Sequence, residues 1–541
     1  MLQGYGFQHY PAHIPTSIDV PEIAMRDLFR QSVKTYRDCV ATWFYGRQMT
    51  YGELQQAVDA FAAGLQGLGV GKGDRVAIML PNCPQYVIAY YGILTAGAVV
   101  AQVNPMSVPR ELQHILADSG AKVMVTLDAL APRVQGVQSE TDVAYIISVA
   151  LQDQSVTPEG TTPFAAVVQN GLARPLDEVM IDPAEDVAVL QYTGGTTGLS
   201  KGAMLTHRNL VANTLQCYYF FRDSYHPGND TCLTVLPLFH VFGMTVCMNV
   251  SIYNGARLLL IPRFDPAEVA QIIKAEQPTM FPGVPTMYTA LLHLPNIENY
   301  GLNSIRVCNS GGAPMPVELM RAFEAKTGTT VYEGFGLSEA SPVTHCNSTF
   351  APRKPGTIGL PYPSTEYKIV VLEDGVTEVP VGEIGELVIR GPQVMKGYWN
   401  MPEETARTLR DGWLYTGDIA TVDEDGYVSI VDRKKDMIIA SGYNIYPREV
   451  EEVLYEHPAV QEAIVVGVPD AYRGETVKAF IVLKAGAQAT EDEIIAHCKA
   501  GLSPYKVPKL IEFRSELPKS SVGKLLRRAL REESTAKVDG A

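Results

Sequence analysis

Three glycines within five residues, four hydroxyls and a lysine fall together in Tyr192-Thr-Gly-Gly-Thr-Thr-Gly-Leu-Ser-Lys201. Without Cβ atoms, Gly194, Gly195 and Gly198 let backbone N–H groups approach an anion. Thr193, Thr196, Thr197 and Ser200 can donate to phosphate oxygens or bind a hard cation, and Lys201 adds positive charge. The segment is expected to cradle phosphates, although a Gly/Thr-rich turn has the same composition. It is not the G-x-x-x-x-G-K-[ST] spacing, because Lys201 follows Ser200 rather than a glycine, so a P-loop NTPase is disfavoured.

Other chemically capable residues lie far along the chain. Glu339 follows a Gly-containing turn and suits a hard Mg2+ that also touches phosphate; a solvated loop carboxylate reads the same way. Asp418, after Thr416-Gly417, can accept two vicinal sugar hydroxyls or simply close a turn. Arg433 offers a sugar or phosphate contact, or belongs to an exposed run with Lys434 and Lys435. Lys524 sits in a Gly-Lys loop of the kind usually found at surfaces. His240, in Pro237-Leu-Phe-His-Val-Phe-Gly243, lies among apolar residues as a core histidine would.

The elements that must position these groups alternate. Thr50-Tyr-Gly-Glu53 is a capping box, followed by Leu54, Val58, Phe61, Leu65 and Leu68 along one helical face. Strands are expected at Val76–Leu80, Val99–Val103, Val123–Leu127 and Val187–Leu190, with helices near 84–96 and 109–117 between the first three. Strands separated by helices need crossovers, which imply an open, mostly parallel α/β sheet whose ligands bind beyond the carboxyl ends of its strands. After Asp432 the pattern changes to a capped helix near Pro447–Glu456, strands at Ala463–Val468 and Lys478–Leu483, and a basic tail. The expected architecture is a large N-terminal α/β region of layered, mostly parallel sheets, residues 1–431, plus a small α+β domain, residues 432–541.

Composition limits the partners. With 44 Lys+Arg against 59 Asp+Glu the net charge is -15, which excludes broad nucleic-acid binding but leaves room for a basic pocket. Eight cysteines without a C-x-x-C pair indicate a reducing, cytoplasmic setting, and the N-terminal residues lack the pattern of a secretion signal. The longest uncharged stretch, 34 residues from Val76 to Pro109, is broken by Pro81, Pro84, Gly92, Gly97 and Pro105. It reads as strand, helix and strand rather than a transmembrane segment. Peripheral membrane contact stays open, as does the choice between monomer and homodimer.

Taken in order, these segments resemble those of the acyl-adenylate-forming (ANL) enzymes: acyl- and aryl-CoA ligases, peptide-synthetase adenylation domains and beetle luciferases. The 192–202 segment is similar to their phosphate-binding signature. Tyr332-Glu333-Gly334-Phe335-Gly336-Leu337-Ser338-Glu339 resembles the adenine and magnesium segment, and Gly312, Ala313 and Pro314 the adenine-side wall. Tyr415-Thr-Gly-Asp418 resembles the ribose segment, Asp432-Arg433-Lys-Lys-Asp436 the hinge, Ser441-Gly442-Tyr443 the mobile loop along the pantetheine path, and Pro518 to Lys524 the C-terminal lysine loop.

The resemblance implies ATP, Mg2+ and coenzyme A. It further implies Lys524, Glu339, Thr197 and His240 as catalytic residues, Mg2+ on Thr197 and Glu339, and a C-terminal unit that turns about Asp432. The expected function is an ATP-dependent fatty acid:CoA ligase working through acyl-AMP. The alternatives are an aryl-acid ligase of the same family, a phosphoryl-transfer ATPase and a noncatalytic nucleotide-binding module. Ile439 and Ser441 stand where luciferases and coumarate ligases have lysines, which weakens the aryl reading. Candidates for an apolar acyl tunnel, or for ordinary core, are Phe242, Met244, Phe281, Val284, Met287, Tyr288, Leu291 and Leu292.

Overall fold

The computed structural model describes residues 5–151, 156–193, 200–440, 443–470, 473–520 and 523–539. The capping box closes as the sequence requires. Thr50 Oγ1 accepts from Glu53 N at 3.2 Å and Thr50 N donates to Glu53 Oε2 at 2.8 Å, which starts the helix Tyr51–Gly67. Val76–Pro109 forms the strand Arg75–Met79, the helix Pro84–Thr95 and the strand Val99–Gln102. Its uncharged character comes from burial on every side, since Tyr86, Tyr90 and Tyr91 are wholly enclosed. Among the described residues no helix is long and apolar enough to cross a membrane.

Two large sheets carry the N-terminal region. In the first, Arg75–Met79, Val99–Gln102, Ala121–Leu127, Tyr145–Val149 and Val187–Thr193 run parallel, and Lys201–Thr206 folds back antiparallel on the last. In the second, Thr231–Thr234, Arg257–Leu260, Met280–Gly283, Val307–Ser310 and Val331–Gly336 run parallel. The helix Pro84–Thr95 bridges the two. The Tyr86 hydroxyl lies 2.7 Å from Gln102 Oε1 on one side and 2.8 Å from the Leu238 carbonyl on the other, sharing its one proton between them. Burying a tyrosine hydroxyl with both contacts made avoids the cost of an unpaired polar group.

A third sheet was not anticipated from sequence. Glu366–Val370, Gly385–Arg390, Trp413–Val422 and Val428–Arg433 form an antiparallel unit with its own core of Ile369, Leu387, Ile389 and Val428. Beyond it, the helix Pro447–Glu456 packs on a sheet containing Ile438–Ala440, Val460–Asp470, Gly474–Leu483 and Leu510–Phe513. That unit buries a separate cluster including Ile445, Val450, Leu454, Val465 and Ile481.

Asp432, at the junction, caps the helix that follows. Its Oδ2 accepts from Arg448 N at 2.8 Å, and its Oδ1 accepts from Arg433 N at 2.7 Å and lies 3.4 Å from Arg527 Nη1. A carboxylate at this position satisfies an N–H that has no partner within the helix and faces the positive end of the helix dipole.

Candidate active site

The carboxyl ends of Met280–Gly283, Val307–Ser310 and Val331–Gly336 open onto a cavity of about 800 Å³, whose other walls come from the third sheet and the C-terminal unit. Thr193, Lys201, His240, Gly312, Gly334, Phe335, Gly336, Leu337, Ser338, Glu339, Asp418, Arg433 and Lys524 all line it. Residues separated by more than 300 positions in the chain thus converge where an open α/β sheet presents its ligand site. Gly194, Gly195, Thr196, Thr197, Gly198, Ser441 and Gly442 lie outside the described residues.

The two edges of the phosphate loop are held by sheet pairing, Thr193 opposite Lys201. Lys201 Nζ lies 2.5 Å from Glu404 Oε1 and 5.2 Å above the Tyr398 ring. Tyr398 in turn donates its hydroxyl to Glu339 Oε1 at 2.6 Å, and the Glu339 carbonyl accepts from Met395 N at 2.8 Å. Glu339 is therefore fixed at both its main chain and its side chain. Close packing dictates Gly336 nearby, because a Cβ there would lie 2.4 Å from the Pro342 carbonyl oxygen.

Asp418 and Arg433 are paired residues on neighbouring antiparallel strands. Arg433 Nε lies 3.1 Å from Asp418 Oδ1, and the Asp418 side chain is only 4% exposed. Burial pushes the Asp418 pKa up, while Arg433 and Lys524 oppose that shift. Lys524 reaches the same end of the cavity from the C-terminal unit. Burial lowers its pKa to about 7, with the charges of Arg433 and Lys435 adding to the shift and Asp418 resisting it. An anion entering the cavity would meet Lys524 beside Arg433 and restore its charge.

His240 is held neutral, with a pKa lowered to about 4 by burial and by the neighbouring Lys524 charge. Its Nδ1 accepts from Phe242 N at 3.3 Å, leaving the ring proton on Nε2. Leu236, Val241, Phe242, Val246 and Val284 form an apolar wall around it. Phe281, Met287, Tyr288, Leu291, Leu292 and Met244, also tunnel candidates, do not line the cavity. Tyr288 shows why: its hydroxyl is spent inside the core on the Phe281 carbonyl at 3.1 Å and the Asn309 carbonyl at 2.7 Å.

Five further expected site residues do not line the cavity in this arrangement. Glu333 does not line the cavity. It sits in the paired part of its strand, opposite Ser310, where its Oε1 accepts from Met315 N at 3.1 Å and lies 3.7 Å from Arg448 Nη2. Burial raises its pKa to about 7, with Arg448 opposing. Ala313 and Pro314 lie past the cavity wall, which ends at Gly312, and Ser200 directs its carbonyl to His114 Nε2 at 2.8 Å. Tyr443 is 55% exposed and stacks on Tyr505 at 4.7 Å, outside the cavity. In turn, Tyr398 and Glu404 were missed, since nothing local in Tyr398-Trp-Asn or Pro402-Glu-Glu404 announces a partner two hundred residues away.

Two family models match the chain: AMP-binding enzyme over residues 29–399, and AMP-binding enzyme C-terminal domain over residues 449–524. The chain is 48% identical to a long-chain-fatty-acid–CoA ligase of Bacillus subtilis (strain 168), with 97% of each chain covered. It is 43% identical to a long-chain-fatty-acid–CoA ligase of Escherichia coli O6:H1, with 98% of each covered. Among solved structures, the anthranilate CoA ligase AuaEII in complex with anthranoyl-AMP superposes with a TM-score of 0.89 at 29% identity, covering 97% of this chain and 99% of that one. Shared sequence over the full length, joined to a cavity built from the same ordered segments, places this chain in the AMP-binding enzyme family.

Proposed function

We propose that the protein is an ATP-dependent, AMP-forming ligase that joins long-chain fatty acids to coenzyme A in the cytoplasm. The observation that carries the reading is the placement of Lys524, from the C-terminal unit, in the cavity beside Asp418 and Arg433. The apolar wall of Leu236, Val241, Phe242, Val246 and Val284 suits an aliphatic tail. Eight free cysteines, seven of them buried, accord with a reducing compartment.

A carboxylate is electron-rich and would have to expel oxide, so a thiol cannot displace it directly. Its oxygen first attacks the α-phosphorus of ATP; the new O–P bond forms as the bond to the bridging oxygen breaks, and pyrophosphate leaves. Positioning and charge neutralisation dominate such a step. Lys524 neutralises the reacting phosphate, Lys201 and the loop from Thr193 hold the outgoing phosphates, and Asp418 accepts from the ribose hydroxyls. In the second step the sulfur of coenzyme A attacks the acyl carbon and AMP leaves with the bonding electrons. A free thiol has a pKa of about 8.5, so a modest thiolate fraction against a good leaving group suffices.

The donor set fits Mg2+. Among the described residues no group of three or more His, Cys, Asp or Glu is arranged for a metal, and Mg2+ needs only one or two carboxylates plus substrate phosphates. Glu339, oriented by Tyr398, is the carboxylate that would hold it, with Thr197 as the proposed hydroxyl partner. When bound, the ion neutralises phosphate charge.

Residues 1–431 and 432–541 act as two bodies that turn at Asp432 between the steps. Lys524 then withdraws and the Ser441-Gly442-Tyr443 face lines the path of the thiol. The deciding experiment offers straight-chain and aromatic acids with ATP, Mg2+ and coenzyme A, and measures AMP and thioester. Equimolar AMP and acyl-CoA with long straight-chain acids is the expected result, whereas ADP, or no acid-dependent nucleotide cleavage, overturns the reading.

A further inference from the structure

The Lys524 turn is bonded both to itself and to the opposite body. Ser520 N donates to the Lys524 carbonyl at 2.7 Å, Lys524 N donates to Ser520 Oγ at 3.1 Å, and Leu526 N donates to the Pro518 carbonyl at 2.8 Å. Lys519 anchors the same stretch through Glu462 Oε1 at 2.6 Å. With those bonds made, the backbone flanking Lys524 cannot shift without carrying its neighbours along. Its external contact is with Thr286, at the start of the helix Pro285–Leu292, where the strand Met280–Gly283 delivers Val284 to the cavity wall.

Thr286 Oγ1 donates to the Gly523 carbonyl at 3.0 Å, one residue before Lys524. The fit leaves no slack. Gly523 has φ +77°, and a Cβ there would lie 2.6 Å from Thr286 Oγ1 and 3.4 Å from Val284 Cγ2. A left-handed backbone and a contact too close for any side chain both point to glycine at this seat.

We propose that Thr286 is a positioning residue for acid activation, its hydroxyl registering the Gly523–Lys524 peptide so that the ammonium meets the α-phosphate. The inference rests on the ligase reading above, in which Lys524 serves the first step and leaves before the second. Thr286 does not line the cavity, so its effect is confined to the step that needs Lys524 seated.

Thr286→Val keeps the shape and removes the donor. Acid-dependent ATP–pyrophosphate exchange is expected to fall about fivefold to tenfold in kcat, the size of one modest hydrogen bond. Thioester formation from supplied acyl-AMP should stay at the wild-type rate, and Thr286→Ser should restore exchange. Gly523→Ala should show the same selective pattern more strongly. Exchange unchanged in Thr286→Val, or both half-reactions falling together without rescue by serine, overturns the proposal while leaving the ligase reading intact. No acid-dependent exchange in the wild-type protein sinks the ligase reading and this proposal with it.

Discussion

The Tyr398 hydroxyl lies 2.6 Å from Glu339 Oε1 while the Tyr398 ring lies beneath the ammonium of Lys201, at 5.2 Å. One aromatic side chain therefore sets the carboxylate proposed for Mg2+ and the cation proposed for the outgoing phosphates. A charge-assisted hydrogen bond to a carboxylate contributes about 1.5–3 kcal/mol. Tyr398→Phe keeps the ring and removes that bond. Pyrophosphate exchange should fall about tenfold or more, and half-maximal activity should need more Mg2+; a magnesium titration of exchange against wild type checks both.

Lys524 is expected to separate the half-reactions. Lys524→Ala should lose adenylate formation by at least about a hundredfold, in line with removal of a charge aimed at a reacting phosphate, and still convert supplied acyl-AMP to thioester. Parallel loss of both half-reactions, assayed separately, would contradict the two-body model.

The lowered pKa of Lys524, about 7, gives nucleotide binding a proton signature. In the free protein at pH 8 the amine is largely neutral, and the charge of bound ATP draws a proton onto it. Titration calorimetry in buffers of different ionisation enthalpy should show net proton uptake at pH 8 and less at pH 6, where the amine is already charged. Lys524→Met should abolish the difference.

Asp418 pairs with Arg433 and is the residue proposed to accept from the ribose hydroxyls. Asp418→Asn removes the negative charge while keeping the shape, so affinity for both ATP and AMP should drop about tenfold or more, because the ribose is common to both. Deoxyribose nucleotides should lose less affinity for the variant than ribonucleotides do, as measured by calorimetric titration.

Glu333 gives the pH dependence of stability a definite sign. Its folded pKa, about 7, lies above the unfolded value of 4.5, so the folded state binds the extra proton between those limits. Its contribution to stability is complete below pH 4.5, is lost as pH rises through 7, and is flat above. Glu333→Gln should therefore gain in Tm relative to wild type between pH 5 and 7.5 and hold that gain at higher pH, as read by thermal melts across that series.

The parallel sheets were legible because strands buried on both faces are unbroken apolar runs. Val76–Leu80 was expected and Arg75–Met79 forms; the helix Pro447–Glu456 matches end to end. Lys201, Glu339, Asp418, Arg433 and Lys524, singled out by the ordered motifs that resemble the family rather than by their local chemistry alone, all line the cavity. What failed was non-local. Tyr398, Glu404 and Thr286 are common residue types whose meaning comes from partners 59, 203 and 237 positions away. Glu333 shared a motif with cavity residues, yet its carboxylate is taken up by Met315 N and Arg448 instead of facing the cavity. The third sheet escaped notice because its strands, five to ten residues long, carry polar residues among the apolar ones instead of forming unbroken apolar runs.

That sheet places Asp418, proposed to hold the ribose, opposite Arg433 on adjacent, hydrogen-bonded strands, next to Asp432, the proposed hinge. On the proposed reading, the pivot is built into the wall that would grip the nucleotide rather than hung on a remote tether. The proposed swing would then leave the adenylate's sugar contacts in place while the smaller body turns.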